Sequence, residues 1–127
     1  SMDHVYNELD KAGALIIASP VFFESLSAQA KMMIDRFQCA WIAKYILKSR
    51  LRAKMRKGIF ISTAGSHRRD HFENARGTVK AFFATLDFKY AGELFCGGVE
   101  NTADINKDEK ALSKAYELGK DAVKEDE

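Results

Sequence analysis

Ala14-Leu-Ile-Ile-Ala-Ser-Pro-Val-Phe-Phe-Glu-Ser-Leu-Ser-Ala-Gln-Ala-Lys-Met-Met-Ile-Asp-Arg36 is the stretch on which the reading of the fold turns. It opens with an unbroken apolar run, residues 14–18, bounded by Gly13 and by Ser19-Pro20. A run without polar alternation suits a parallel strand buried on both faces. Beyond a loop over residues 19–27, Ala30, Met33, Ile34, Phe37, Trp41 and Ile42 recur at helical spacing. That spacing predicts a helix from Ser27 to about Leu47 with one apolar face.

The same alternation continues downstream. Gly58-Ile-Phe-Ile-Ser-Thr63 reads as a second buried strand, running into the loop Ala64-Gly65-Ser66-His67-Arg68-Arg69. Asp70 is placed to cap the next helix, which carries Val79, Phe82, Phe83 and Leu86. Residues 88–96 form a third strand, interrupted by Gly92 and closed by Gly97-Gly98. Asn106 or Asp108 starts a last helix with an inner stripe of Ala111, Leu112, Ala115, Leu118, Gly119 and Ala122. Upstream, Val5, Tyr6 and Leu9 mark a helix end. Residues 48–57 read as a basic, solvated linker, and residues 124–127 as a solvated tail. Strand–helix alternation of this kind gives a parallel sheet with right-handed crossovers, so the class is α/β.

Composition excludes several function classes. Twenty basic against eighteen acidic residues leave +2, too little to imply nucleic acid or an anionic membrane surface. The longest apolar stretch, residues 12–23, is interrupted by Gly13, Ser19 and Pro20 and is too short to span a bilayer. Cys39 and Cys96 stand far apart with no Cys-x-x-Cys spacing, against a structural zinc site, a dithiol centre or a disulfide framework. Both are expected as reduced, partly buried thiols in a cytoplasmic protein. His4, His67 and His71 share no metal-ligand spacing. Ser1-Met2 reads as a cloning residue ahead of an initiator methionine, within a single domain over residues 1–127.

In an open parallel sheet, ligands gather at the carboxyl ends of the strands. Two loops are expected there. Residues 19–27 offer Phe22 and Phe23, small hydroxyl residues and a rigidifying Pro20; residues 62–67 offer hydroxyls and Gly65 for close backbone approach. A flat aromatic ligand with polar edges suits such loops. The plainer alternative makes the adjacent phenylalanines core residues and the second loop an ordinary connection.

The opening segment resembles the signature of the NADPH-dependent FMN reductase and iron–sulfur flavoprotein families: an apolar strand, Ser-Pro-Val-Tyr/Phe-Phe, Ser-Ala-Gln-x-Lys, then Asp-Arg. Ser62-Thr-Ala-Gly-Ser66 is similar to their loop after the fourth strand. Gly97-Gly-Val99 and Ala115-Tyr-Glu-Leu-Gly119 are similar to their last strand and helix. The resemblance implies a flavodoxin-like three-layer α/β fold, FMN as cofactor and electron transfer with NAD(P)H as a possible donor. It places Ser19, Pro20, Val21, Phe22 and Phe23 beside the isoalloxazine ring, and Thr63, Ala64, Gly65 and Ser66 at its pyrimidine side. It assigns no catalytic side chain and no metal ligand, because hydride chemistry belongs to the flavin.

The family sheet has the order 2-1-3-4-5, and this chain is expected to supply only strands 3, 4 and 5, without the phosphate-binding loop. The cysteine cluster of the iron–sulfur members would lie in the same region, so no iron–sulfur cluster is expected. His67-Arg68-Arg69-Asp70-His71 replaces a glycine-rich stretch and reads as a solvated loop, or as a grip for a phosphate. Residues 14–18 would form an open strand edge beside a bare sheet face. That predicts a homo-oligomer, or another polypeptide completing the sheet. The alternative function is a non-catalytic assembly domain with cofactor binding weakened or lost.

Overall fold

The computed structural model describes residues 1–49 and 54–125. Helix α1 (Met2–Lys11) is capped by the Ser1 hydroxyl and leads into strand β1 (Ala14–Pro20). Helices α2 (Ala28–Asp35) and α3 (Gln38–Trp41) follow, with a π-helical turn over Ile42–Ile46. Strand β2 (Arg56–Thr63) passes through a 3-10 turn at Arg69–Phe72 into helix α4 (Glu73–Thr85). Strand β3 (Phe88–Cys96), short helix α5 (Thr102–Asn106) and helix α6 (Glu109–Ala122) complete the chain. The strands form one parallel sheet in the order β1-β2-β3, in three layers with helices on both faces.

The larger core lies on one face. There Ile17, Phe60, Phe72, Val79, Phe82, Phe83, Phe88 and Phe95 interlock, and α1 and α2 pack over them through Tyr6, Leu9, Met33 and Ile34. Phe72 stacks flat on Phe95 with ring centres 4.6 Å apart. On the other face α6 lays Ala111, Ala115 and Leu118 over Ile61, Leu94 and Cys96. Arg76 of α4 grips Glu93 of β3 with two hydrogen bonds of 3.0 and 2.6 Å, and Tyr90 adds a third. Burial pushes the Glu93 carboxyl up, but the bonds from Arg76 and Tyr90 outweigh it and hold the group below its ordinary range.

Several expectations are corrected. Strand β1 is buried on one face only: Ile17 and Ser19 are buried, whereas Ile16 is 50% exposed and Ala18 is open. The reason is coverage, since α6 covers β2 and β3 but leaves β1 bare. The single helix expected over residues 27–47 is broken near Phe37, and its far end leaves Cys39, Trp41 and Ile42 exposed. Asp70 does not cap α4; its carboxylate is taken by the Arg68 guanidinium at 3.1 and 2.5 Å. Asp108, by contrast, caps α6 through the Ala111 N–H at 3.0 Å, and Leu112 faces outward instead of joining the inner stripe. Gly92 does not interrupt β3. The strand bulges there, since Gly58 pairs with Tyr90 and Ile59 with Gly92, and a Cβ on Gly92 would meet Leu118 at 2.5 Å.

Of the presumed basic linker, residues 50–53 lie outside the described residues, as do residues 126 and 127 of the presumed tail. Arg56 and Lys57, expected in that linker, belong to β2. No described helix is long and apolar enough to cross a membrane.

Candidate functional site

Strands β1 and β2 end at the same height, because Pro20 pairs with Thr63, and the two loops therefore leave side by side. The Val21 N–H donates to the Thr63 carbonyl at 2.8 Å and ties the loops together at their roots. Phe22 and Ser25 then exchange backbone hydrogen bonds of 2.9 and 3.1 Å across a two-residue turn. The turn residues Phe23 and Glu24 have φ of +49° and +63°. Such turns normally take Asn-Gly or Asp-Gly, because a side chain in the left-handed region costs roughly 1–2 kcal/mol. The strain holds Phe23 at the tip, 104% exposed, beside Phe22 at 60%.

The turn is mounted on a buried brace. The Ser19 hydroxyl accepts the Ser27 N–H at 3.0 Å and donates to the Pro20 carbonyl at 3.0 Å. Ser62 donates its own hydroxyl to the Ser19 carbonyl at 2.7 Å. Leu26 is buried beneath, and the Ser27 hydroxyl caps α2 through the Ala30 N–H. Backbone outliers retained on so rigid a base are typical of binding sites.

The second loop is held from β3. Ala64 is buried; its N–H donates to the Cys96 carbonyl and its carbonyl accepts from Val99, both at 2.9 Å. The Ser66 carbonyl accepts the Gly98 N–H at 3.2 Å, and the Ser66 hydroxyl accepts the Arg68 N–H at 3.1 Å. Gly65 is exposed with open space around it. Among the described residues, the Gly65 and Ser66 N–H groups donate to no protein acceptor. A glycine is required at residue 97, where a Cβ would come within 2.7 Å of the Ser66 carbonyl. Gly98, at φ +69°, is packed under the His67 ring.

Eight of the nine residues singled out from the sequence lie on the two loops that make a shelf at the carboxyl end of the sheet: Pro20, Val21, Phe22 and Phe23 on one side, Thr63, Gly65 and Ser66 on the other, with Ala64 buried at its base. Ser19 belongs to the brace beneath it, with its hydroxyl turned inward. The reading of Phe22 and Phe23 as core residues is overturned by their exposure. The tether between loops from Val21 to Thr63 and the contact of His71 Nε2 with Glu24 Oε1 at 3.7 Å escaped the sequence reading. Neither has a local signature. In the His67–His71 stretch, Arg68 and Asp70 are exposed and paired with each other.

This donor set fits the ring of an FMN molecule. Two exposed aromatics offer stacking area, and two backbone N–H groups on the neighbouring loop can meet carbonyl and nitrogen acceptors along the pyrimidine edge. Bound there, FMN would supply the redox chemistry and the protein's part would be to position it, so no acidic or basic side chain is needed at the shelf.

Comparison with known proteins bears on the fold and the family. In three dimensions the chain is similar to the Trp repressor binding protein from Bacillus subtilis, with a TM-score of 0.71 and 17% identity over 98% of this chain and 77% of that one. It is also similar to a flavone reductase, with a TM-score of 0.72 and 14% identity over 95% of this chain, spanning only 44% of that one. At these identities the likeness establishes the fold alone. No curated protein sequence matches the chain. Residues 1–96 match the profile of the family described as NADPH-dependent FMN reductase. A match over three quarters of the sequence is a statement about ancestry, and the chain belongs to the NADPH-dependent FMN reductase family.

Proposed function

We propose that this chain is a flavin-dependent NAD(P)H oxidoreductase that holds the FMN ring on the shelf formed by Pro20, Val21, Phe22, Phe23, Thr63, Ala64, Gly65 and Ser66. Ser19 supports that shelf from below. The observation that carries the reading is the strained turn at Phe23 and Glu24, which keeps an aromatic ring in solvent beside two free backbone donors. Phe23 contributes nothing to the core, and with Phe22 it leaves two adjacent aromatic faces open to a flat ligand.

FMN titration followed by flavin fluorescence tests this. Phe23→Ala is expected to weaken binding about tenfold, since stacking on one aromatic contributes about 1–3 kcal/mol. Its melting temperature should stay unchanged, because the ring makes no core contact. Unaltered FMN affinity in Phe22→Ala and Phe23→Ala, singly and together, would remove the shelf from consideration.

A second reading, self-association, is favoured by the open edge of β1. Ile16 is half exposed on the bare sheet face and Ala14 to Ala18 carry no charge or lysine to discourage pairing. We infer that two copies meet along residues 14–18 or over that face. Light scattering at micromolar concentration should report a dimer or larger species, and Ile16→Lys should shift it toward the monomer. A compact monomeric wild type contradicts the inference.

A further inference from the structure

We propose that the trough between the bare face of β1 and helix α6 docks an amphipathic helix of another polypeptide, laid antiparallel to β1 and acidic at its carboxyl end. Helix α6 carries two apolar stripes. Ala111, Ala115 and Leu118 pack on the sheet. Leu112, Tyr116 and Val123 recur at the same helical spacing one position on, and they stand 45%, 70% and 81% exposed. One stripe is enough to seat a helix on a sheet, so the second is left over from that packing.

The second stripe faces β1. Val123 shares a cavity with Gly13 and Ala14 at the start of β1, whereas Leu118 and Asp121 share one with Lys89, Tyr90 and Ala91 of β3. Ala18 pairs with Ile61, which packs under α6, so Ala14, Ile16 and Ala18 point into the α6 layer. The result is an apolar trough with a strand for its floor and a helix for one wall. Gly119 lies on the same stripe, and nothing stands within 4 Å of where its Cβ would be, so another backbone can come close.

Width selects the occupant. Helix α6 rests over β2 and β3 through Ile61, Leu94 and Cys96. A second copy joined antiparallel along the β1 edge would therefore hold its own α6 roughly 19 Å away, about twice a helix–helix spacing. One helix is still missing between them. Stacking two copies face to face would instead press Glu117 and Lys120, on the outer side of α6, against the partner's strand and bury their charges. The inference thus goes beyond the self-association reading and leaves the strand edge to it.

Charge selects the direction. At the amino end of β1 the trough opens on a cavity of about 640 Å³ lined by Lys11, Lys54, Arg56, Lys57, Lys124 and Glu125. Arg56 and Lys57 donate to carbonyls, which cancel no formal charge. Five cations thus face two carboxylates even when Asp121, beside Lys124, is counted. A helix carries partial negative charge at its carboxyl end, and acidic side chains there add to it. Helix α6 itself runs from the carboxyl end of β3 to this cavity, and a guest laid the same way brings its carboxyl end to the cations.

The probes are two fluorescein-labelled amphipathic peptides of about 18 residues with the same composition, read by anisotropy. One carries glutamates in its last turn and lysines in its first, and the other reverses them. The acid-ended peptide is expected to bind about tenfold tighter, and Lys54→Gln/Lys124→Gln to abolish that preference. Tyr116→Glu should weaken binding at least tenfold with the melting temperature unchanged, because the ring is exposed, whereas Lys114→Glu, on the β3 side of α6, should bind as wild type. A monomeric wild type that binds the acid-ended peptide supports this inference while ending the self-association reading. No binding of either peptide overturns the inference, and if Tyr116→Glu then lowers the mass seen by light scattering, the occupant is a second copy. Equal affinity for the two peptides, or binding untouched by Tyr116→Glu, overturns it as well.

Discussion

Arg56→Ala is expected to lower the unfolding free energy by about 3–5 kcal/mol and the melting temperature by roughly 10 °C or more. Arg56 opens β2, yet its guanidinium closes three other segments. One nitrogen donates to the carbonyls of Leu9 and Ala12 at 2.6 and 2.9 Å, where α1 ends. The other donates to the Leu86 carbonyl at 2.9 Å, just past α4. The plane sits 3.8 Å from the centre of the Phe88 ring, so charge and stacking act together. Removing the side chain strips helix-end carbonyls of charge-assisted donors in a half-buried place. Arg56→Lys should recover only part of the loss, since an ammonium cannot span all three acceptors with a planar fork. Thermal and urea unfolding measure both variants; a drop of less than about 3 °C for Arg56→Ala would falsify the clamp.

The second large effect is expected at Ser19. Ser19→Ala leaves the Ser27 N–H without its acceptor and removes the hydroxyl tie to Pro20. The expected cost is about 1–3 kcal/mol of stability, because a part-buried donor is stranded. FMN affinity should fall about tenfold alongside, although Ser19 lies beneath the shelf, because the turn that presents Phe22 and Phe23 loses its footing. Measuring both is what makes the test sharp. Lost affinity with unchanged stability would return Ser19 to direct contact with the ligand, and unchanged affinity with lost stability would detach the turn from binding.

The strands and most of the helices were legible in the sequence because their signals are local. The apolar runs in β1 and β2 lie within the observed strands, and the stripe through Val79, Phe82 and Phe83 is the buried side of α4. The misreadings share a cause. Asp70, the outward-facing Leu112 and the broken helix near Phe37 all have the right residue for the expected role, but a distant or neighbouring group decided otherwise. For Asp70 that group is Arg68, two residues away.

The candidate site divides in the same way. Its two loops were legible, because Ser-Pro-Val-Phe-Phe and Ser-Thr-Ala-Gly-Ser are contiguous and follow apolar runs that suit buried strands. Its geometry was not, since nothing in Phe23-Glu24 announces a left-handed turn.

The sequence by itself therefore determined the class, the order of the strands and main helices and the two loops that meet at the sheet's carboxyl end, while the family rested on the resemblance of its motifs. Local propensity and periodicity carry that information without reference to the rest of the chain. Only the tertiary structure decided that Arg56 is a clamp instead of a linker charge, and that Ser19 braces the shelf instead of lining it. It alone set Leu112, Tyr116 and Val123 beside the bare face of β1. These are meetings of residues far apart in sequence, and which groups meet depends on how the sheet registers and the helices pack.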